Sequence, residues 1–203
     1  IAPVYNADGT YFVGNDHAYN QGNMVKAQDE NYKLKKDNYF YGQGDLQFEI
    51  IEGLNIKTNL YKSRFTSDFS QWESPDNALG GGSGNSLGDS SDGYAIRRNF
   101  AWDRELMEWT LNYNKAFGAE EKHKLDALLG YSWETNQYQS QYSQATNFAV
   151  ASMGANSIQT GNDLKIGNVT SSKNEYKLIS FFARAHYSYD ERYMITATVR
   201  RDG

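Results

Sequence analysis

The chain lacks cysteine, long hydrophobic runs and dense clusters of basic residues. Without cysteine, its 203 residues can form no disulfide, thiolate metal site or cysteine nucleophile. The absence of any run of about 18 apolar residues excludes a membrane-spanning helix. The longest basic run, Lys33–Lys36, is interrupted by Leu34, and the formal net charge is −5. The sequence therefore argues against nucleic acid as a partner, because no basic cluster can neutralise its phosphates.

Aromatic residues are abundant at 15% of the chain, with 16 Tyr and 4 Trp. Such rings favour membrane–water interfaces, where one end of the side chain is apolar and the other is wet. A transmembrane β-strand needs only about 9 to 11 residues with every second one apolar, so a barrel needs no long hydrophobic run. The chain does not begin with methionine and carries no signal peptide, and we expect Ile1 to be an internal residue of a longer precursor.

The clearest pattern lies in Tyr176–Gly203, where apolar and polar residues alternate with a period of two. The alternation resumes after the polar residues Asp190–Arg192, which predicts two antiparallel strands joined by a tight turn. One face carries Phe181, Ala183, Ala185, Tyr187, Tyr189, Tyr193, Ile195, Ala197 and Val199, and the other carries Arg184, His186, Ser188, Thr196, Thr198 and Arg200.

Four further segments alternate in the same way and bring the total to about six strands in three hairpins. They cover residues 39–50, 54 to about 64 or beyond, 94–114 and 123 to about 138. Short turns at 51–53, 117–122 and 190–192 contrast with long polar loops near 1–37, 67–93 and 139–175. Outer-membrane barrels have short periplasmic turns and long extracellular loops, so we expect the long loops to be extracellular.

None of the twenty-five positions between Leu46 and Val199 that we assign to the apolar faces carries a charge. A lipid-facing surface requires this, because Arg or Lys at mid-bilayer costs about 2 to 4 kcal/mol, but a soluble sandwich core requires it too. Six strands cannot close a transporter-sized barrel of about 22 strands, and open edges are not viable in lipid. Together with the connection lengths, this predicts an all-β fold, an antiparallel up-and-down transmembrane β-barrel segment that is part of one larger barrel domain.

The hairpin also carries a sequence motif. The residues SFFAR at 180–184, Tyr187-Ser188-Tyr189, Tyr193 and RRDG at 200–203 resemble the barrel signature of SusC/RagA-type, TonB-linked outer-membrane transporters. Two further points of similarity are Pro3–Thr10 and the dipeptide Gly53-Leu54. His186 departs from the motif, in which Asn is expected.

The resemblance implies a nutrient importer in the outer membrane of a Gram-negative bacterium, without enzymatic activity or a cofactor. Its implied partners are outer-membrane lipid, a SusD-like surface lipoprotein acting as a lid, and oligosaccharide or peptide cargo. A plug domain and the segment that contacts TonB would lie upstream of Ile1, outside this chain.

Two of the long polar segments combine flat rings with hydrogen-bonding groups, a mixture suited to sugars or peptides. The simpler alternative is that the aromatic residues form an interfacial girdle while the polar residues solvate the loops. The residues that we predict to contact cargo or the lid are Trp72, Glu73, Asp76, Asn77, Tyr138 and Tyr142.

Two other functional classes remain open from the sequence. The same Tyr, Trp and Asn content suits a secreted, soluble β-rich carbohydrate-binding module. An enzyme is disfavoured, because Gly84–Gly88 matches the G-x-S-x-G pattern without the strand and helix that this motif needs. The three histidines lie on separate elements, and no metal site is predicted.

Overall fold

The computed structural model describes residues 3–12, 23–74, 93–163 and 165–203. Within these ranges the chain forms strands with little helix. The strands are β1 (Tyr32–Ile51), β2 (Leu54–Glu73), β3 (Tyr94–Phe117), β4 (His123–Phe148), β5 (Gly161–Asp163), β6 (Val169–Tyr189) and β7 (Tyr193–Asp202). The helical segments are α1 (Met24–Glu30) and two 3-10 segments, Ala119–Glu121 and Ala151–Thr160.

The six long strands form one sheet in the order β1-β2-β3-β4-β6-β7, and the short β5 pairs with β4. Each long strand therefore pairs with the next long strand along the chain, which is an up-and-down arrangement. The predicted hairpin is confirmed, since β6 and β7 pair antiparallel from Tyr189↔Tyr193 to Ser180↔Asp202. Among the described strands, all six predicted ones are present, and β5 is an additional one.

The turn of this hairpin places Asp190 (φ 49°) and Glu191 (φ 54°) in the left-handed region, which suits the twist of a tight hairpin. The Arg192 amide donates to the Tyr189 carbonyl at 3.1 Å. Lys124 Nζ donates to Glu191 Oε1 at 2.6 Å, and this bond lowers the pKa of the Glu191 carboxyl. The turn is thus tied to the neighbouring strand β4.

The motif residues of the hairpin form a connected group. The Arg200 guanidinium lies 5.7 Å from the centre of the Phe182 ring and donates to Ser180 Oγ at 3.1 Å and to Asp202 Oδ1 at 2.8 Å. The Phe182 ring occupies the space where a side chain at Gly130 would stand. The motif residue Phe182 on β6 therefore covers Gly130 on β4. Its ring fills the gap that the missing glycine side chain leaves in the sheet.

Several strands extend further than their alternation predicts, so the loops predicted at 1–37, 67–93 and 139–175 are shorter than expected. The extensions carry mostly polar residues on both faces, which hides the period of two although the backbone still pairs. The corrected ends are Tyr32 for the start of β1, Glu73 and Phe148 for the ends of β2 and β4, and Val169 for the start of β6. Residues 75–92, including the Gly84–Gly88 match, lie outside the described residues.

The first predicted loop, 1–37, also contains helix α1. The Asn23 side chain caps this helix by accepting hydrogen bonds from the amides of Val25 at 3.1 Å and Lys26 at 3.2 Å. Among the described residues, neither α1 nor either 3-10 segment is long and apolar enough to cross a membrane.

The chain divides into two compact units, each built from pieces of several strands. The first unit is Ile1–Asn38, Thr66–Ala101 and Gln139–Ser172, and the second is Tyr39–Phe65, Trp102–Tyr138 and Lys173–Gly203.

The first unit contains a small apolar core. The rings of Trp72 and Phe148 meet edge to face with centres 5.0 Å apart, and three alanines complete the buried cluster. The segment Ala151–Thr160 packs here, because the amide of Ala155 donates to Tyr32 Oη at 3.2 Å and Ile158 lies against the cluster.

The second unit presents two different faces. On one, the Tyr131 ring lies 6.5 Å from Trp109 and 5.2 Å from Phe181, so aromatic contacts cross β3, β4 and β6. We call this the apolar face. On the other, which we call the polar face, Asn59 Nδ2 donates to Glu108 Oε1 at 3.3 Å between β2 and β3.

The apolar face is open in this chain. Leu129, for example, is 59% exposed, and the apolar residues of β1 and β7 on this face are exposed as well. They include Leu46, Phe48, Ile50, Tyr193, Ile195 and Val199.

Candidate functional site

The predicted cargo-contact residues do not form one group. Trp72 is buried in the apolar core of the first unit, and Glu73 Oε1 accepts a hydrogen bond from Gln71 at 2.6 Å. Tyr142 also belongs to the first unit, whereas Tyr138 belongs to the second and is exposed. Asp76 and Asn77 lie outside the described residues. A role for these residues in cargo or lid contact stays a prediction.

The Tyr142 ring takes part in a cation–π contact in the first unit. The Arg98 guanidinium lies 5.6 Å from the centre of the Tyr142 ring and 5.7 Å from that of Phe69. The Tyr142 hydroxyl also donates to Gln144, whose Nε2 donates to Asn168 Oδ1 at 3.0 Å. Two rings and a hydrogen-bond chain thus hold the Arg98 cation and Tyr142 in place.

A second group lies on the polar face of the second unit, and sequence reasoning did not single it out. We call it the Trp102 cluster. It draws its six side chains from β2, β3, β4 and β6, and they are Tyr61, Trp102, Arg104, Glu134, Asn136 and Tyr176.

The carboxylate of Glu134 is the centre of the Trp102 cluster. Its Oε1 accepts hydrogen bonds from Arg104 Nε at 2.9 Å and from Tyr176 Oη at 3.3 Å. The Arg104 guanidinium also lies 5.5 Å from the centre of the Tyr61 ring. The positive charge of Arg104 is therefore paired with the Glu134 carboxylate and stacked on the Tyr61 ring at the same time.

Asn136 connects this centre to the indole. Its Nδ2 donates to Tyr176 Oη at 3.4 Å, and its Oδ1 accepts a hydrogen bond from Trp102 Nε1. The Glu134 side chain is only 16% exposed, whereas Trp102 and Tyr176 are 50% and 54% exposed. The cluster thus has a covered ionic centre and two open rings.

The alternation of the sequence already assigns the β3 and β4 residues of the Trp102 cluster to the polar face. Trp102 and Arg104 continue the register of the polar face of β3, and Glu134 and Asn136 continue that of β4. The predicted contact residues lie in the long polar segments, whereas these side chains lie on the polar face of the strands. Which residues meet across β3 and β4 depends on the strand register, which alternation alone does not supply.

The apolar face also changes character along its length. Charged residues on β2, β3 and β6 continue the register of the apolar face, form three ion pairs and border an open cavity next to Trp133. Lys62 pairs with Glu105 at 2.6 Å, Arg64 with Asp103 at 3.6 Å, and Lys177 with Glu175 at 3.0 Å. We call these six residues the charged rim. Within the described ranges, no group of three or more acidic or histidine side chains is placed to hold a metal ion.

Comparison with known proteins supplies relatives by sequence. No protein-family model matches the chain. The chain is similar to "TonB-dependent receptor P3" of Formosa agariphila, with 31% identity over 200 residues, 98% of this chain and 19% of that protein. It is also similar to "TonB-dependent receptor P26" of the same organism, with 26% identity over 215 residues, 99% of this chain and 20% of that protein. The chain thus spans about a fifth of the length of these curated relatives.

Solved structures share the fold. The RagAB peptide transporter superposes with a TM-score of 0.73 at 19% identity, over 98% of this chain and 21% of that chain. The RagAB peptide importer in its closed-closed state gives a TM-score of 0.70 at 19% identity, over 86% of this chain and 18% of that chain.

The fold class is therefore an antiparallel, up-and-down segment of a transmembrane β-barrel. The resemblance to SusC/RagA-type, TonB-linked outer-membrane transporters that the hairpin motif indicates is confirmed, and it is the resemblance of a barrel fragment.

Proposed function

We propose that this chain is part of the barrel wall of an outer-membrane, TonB-dependent nutrient importer of the SusC type. The observation that carries the proposal is the two-faced sheet of the second unit. Its apolar face is exposed and joined by aromatic contacts across three strands, while its polar face is linked by hydrogen bonds. A barrel that faces lipid outside and water inside requires this division.

The length of the apolar face fits a bilayer. On β4 it runs from Leu125 to Trp133, which is about 27 Å along a strand and about 20 Å along the membrane normal at a tilt of about 40°. The charged rim, on β2, β3 and β6, borders the same cavity as Trp133. We therefore assign the rim to the lipid headgroup level and Trp133 to the aromatic girdle.

The orientation follows from the connections. The long connections, near residues 1–31, 74–93 and 149–168, face the cell exterior, and the short turns at 52–53, 118–122 and 190–192 face the periplasm. In this proposal the polar face lines the water-filled interior of the barrel, through which cargo would pass.

The remaining parts of the importer follow from the resemblance. The transporter draws energy from TonB through segments outside this chain, and a SusD-like surface lipoprotein closes it from outside. The cargo is oligosaccharide or peptide, and the name of the RagAB relatives refers to peptide. The relatives are receptors and transporters, and no catalytic role is proposed for this chain.

Cell fractionation combined with uptake tests this proposal. The full-length protein should sediment with the outer membrane and need detergent for extraction, and its deletion should abolish TonB-dependent uptake of at least one oligosaccharide or peptide. A full-length protein that stays in solution without detergent would contradict it. That result would favour a secreted carbohydrate-binding module instead.

A further inference from the structure

We infer that the Trp102 cluster is a binding site for neutral sugar residues of the cargo. The inference rests on the proposed function, because it takes the polar face as the barrel interior. It starts from the two open rings, Trp102 on β3 and Tyr176 on β6, which stand on either side of Asn136 on β4. Neighbouring strands are about 4.8 Å apart, so the backbones that carry these rings are about 10 Å apart.

The cluster is organised before any ligand arrives. Trp102 is tied to Asn136, Asn136 to Tyr176, and Tyr176 to Glu134, so one chain of hydrogen bonds runs from ring to ring. Arg104 Nε also donates a hydrogen bond to the Glu134 carboxylate. Fixing side chains in advance lowers the entropy lost on binding.

The charges of the cluster favour a neutral ligand. The single cation, Arg104, is matched by the single anion, Glu134, at 2.9 Å, so the six side chains carry no net charge. A phosphate, sulfate or carboxylate would have to compete with Glu134 for this guanidinium.

The position of the cluster favours a sugar over an extended peptide. Peptides commonly bind sheets by adding a strand to an open edge. The cluster lies in the middle of the sheet, where β3 and β4 already pair with neighbours on both sides. A sugar needs no free backbone, because its C–H face can stack on Trp102 or Tyr176 while its hydroxyls exchange hydrogen bonds with Asn136 and Glu134.

The test uses the purified full-length protein in detergent and four neutral hexasaccharides: maltohexaose, cellohexaose, mannohexaose and xylohexaose. Binding is measured by calorimetry. We expect at least one of them to bind saturably, and Trp102→Ala and Tyr176→Ala each to weaken it about tenfold. Trp102→Phe, which keeps a flat ring, should weaken it less.

The matched control is Trp109→Ala. Trp109 lies on the same strand and is 47% exposed, but it belongs to the apolar face. Its removal should leave the dissociation constant unchanged. Heat-modifiable gel mobility of each variant reports whether the barrel has folded, so a loss of binding in a folded Trp102→Ala protein is assigned to the site.

Two results would overturn the inference: no saturable binding of any of the four hexasaccharides, or equal binding by wild type and folded Trp102→Ala. Either can occur while the full-length protein resides in the outer membrane and imports cargo in a TonB-dependent manner. The proposed function would then stand and the sugar site would fail. Loss of membrane residence would instead remove the proposed function itself.

Discussion

Gly130 on β4 is a position where a missing side chain has a direct structural reason, since the Phe182 ring fills the space beside it. We predict that Gly130→Ala destabilises the full-length barrel by about 1 to 3 kcal/mol, because a new methyl group would overlap the ring. Folded yield and the midpoint of heat-induced unfolding measure this.

Gly44 on β1 provides the matched control. A methyl group there would meet no atom within 4 Å, so Gly44→Ala should leave yield and midpoint nearly unchanged. Equal effects of Gly130→Ala and Gly44→Ala on yield and midpoint would show that the Phe182 ring does not need the space left by the missing side chain at Gly130.

Leu128 and Leu129 are adjacent leucines that alternation assigns to opposite faces of β4. Leu129 is 59% exposed and shares the register of Tyr131, whereas Leu128 is partly buried and shares that of Gly130. We predict that Leu129→Arg costs about 2 to 4 kcal/mol through burial of a guanidinium in hydrocarbon, and that Leu128→Arg costs clearly less.

The comparison keeps residue type, strand and depth nearly constant, so a difference in folded yield in the outer membrane reports the face alone. A greater loss from Leu128→Arg, or equal losses, would mean that the faces are assigned the wrong way round.

At the scale of the elements, the sequence predicts the existence of the strands better than their ends. Alternation located all six long strands and the three short turns, because one apolar face leaves a period of two wherever it continues. It did not predict the end of β2 at Glu73, since the residues beyond Arg64 are mostly polar on both faces. The three-residue β5 is too short to leave a pattern.

The candidate site was predicted less well for a related reason. Its members come together only through strand pairing, as with Arg104 on β3 and Glu134 on β4, which are far apart in the sequence. The alternation assigns each residue to a face but does not give its partner on the next strand. The alternation therefore does not single out the two rings of the Trp102 cluster, and the predicted contact residues lie elsewhere, in the long polar segments.

The two kinds of connection allow a direct test of topology with single cysteine substitutions, because these 203 residues contain no cysteine. Ile166, between β5 and β6, and Ala119, between β3 and β4, are both exposed. In the full-length protein on intact cells, we expect Ile166→Cys to react with a membrane-impermeant maleimide. Ala119→Cys should react only after the outer membrane is permeabilised, because its turn is assigned to the periplasm.

Reaction of both variants after permeabilisation serves as the control for accessibility. The reverse pattern on intact cells, with Ala119→Cys labelled and Ile166→Cys protected, would invert the proposed orientation.

At the scale of the whole molecule, the sheet ends in two strands, β1 and β7, each with a neighbour on one side only. We predict that the isolated 203-residue chain aggregates in water, because both edges can pair with other copies and the apolar face is exposed. Size-exclusion chromatography with light scattering measures this. A monomer that unfolds cooperatively in detergent-free buffer would contradict the prediction.

The strand order also has a consequence for how such a wall is built. Since each long strand pairs with the next one along the chain, every pairing among the six long strands joins consecutive long strands of the sequence. Across Asp190–Arg192, β6 and β7 need to close only a very short loop, which costs little conformational entropy and favours rapid pairing. We expect β6–β7 and β3–β4 to form before β2 and β3 join across residues 74–93. The hairpin, rather than the single strand, is then the kinetic unit of assembly.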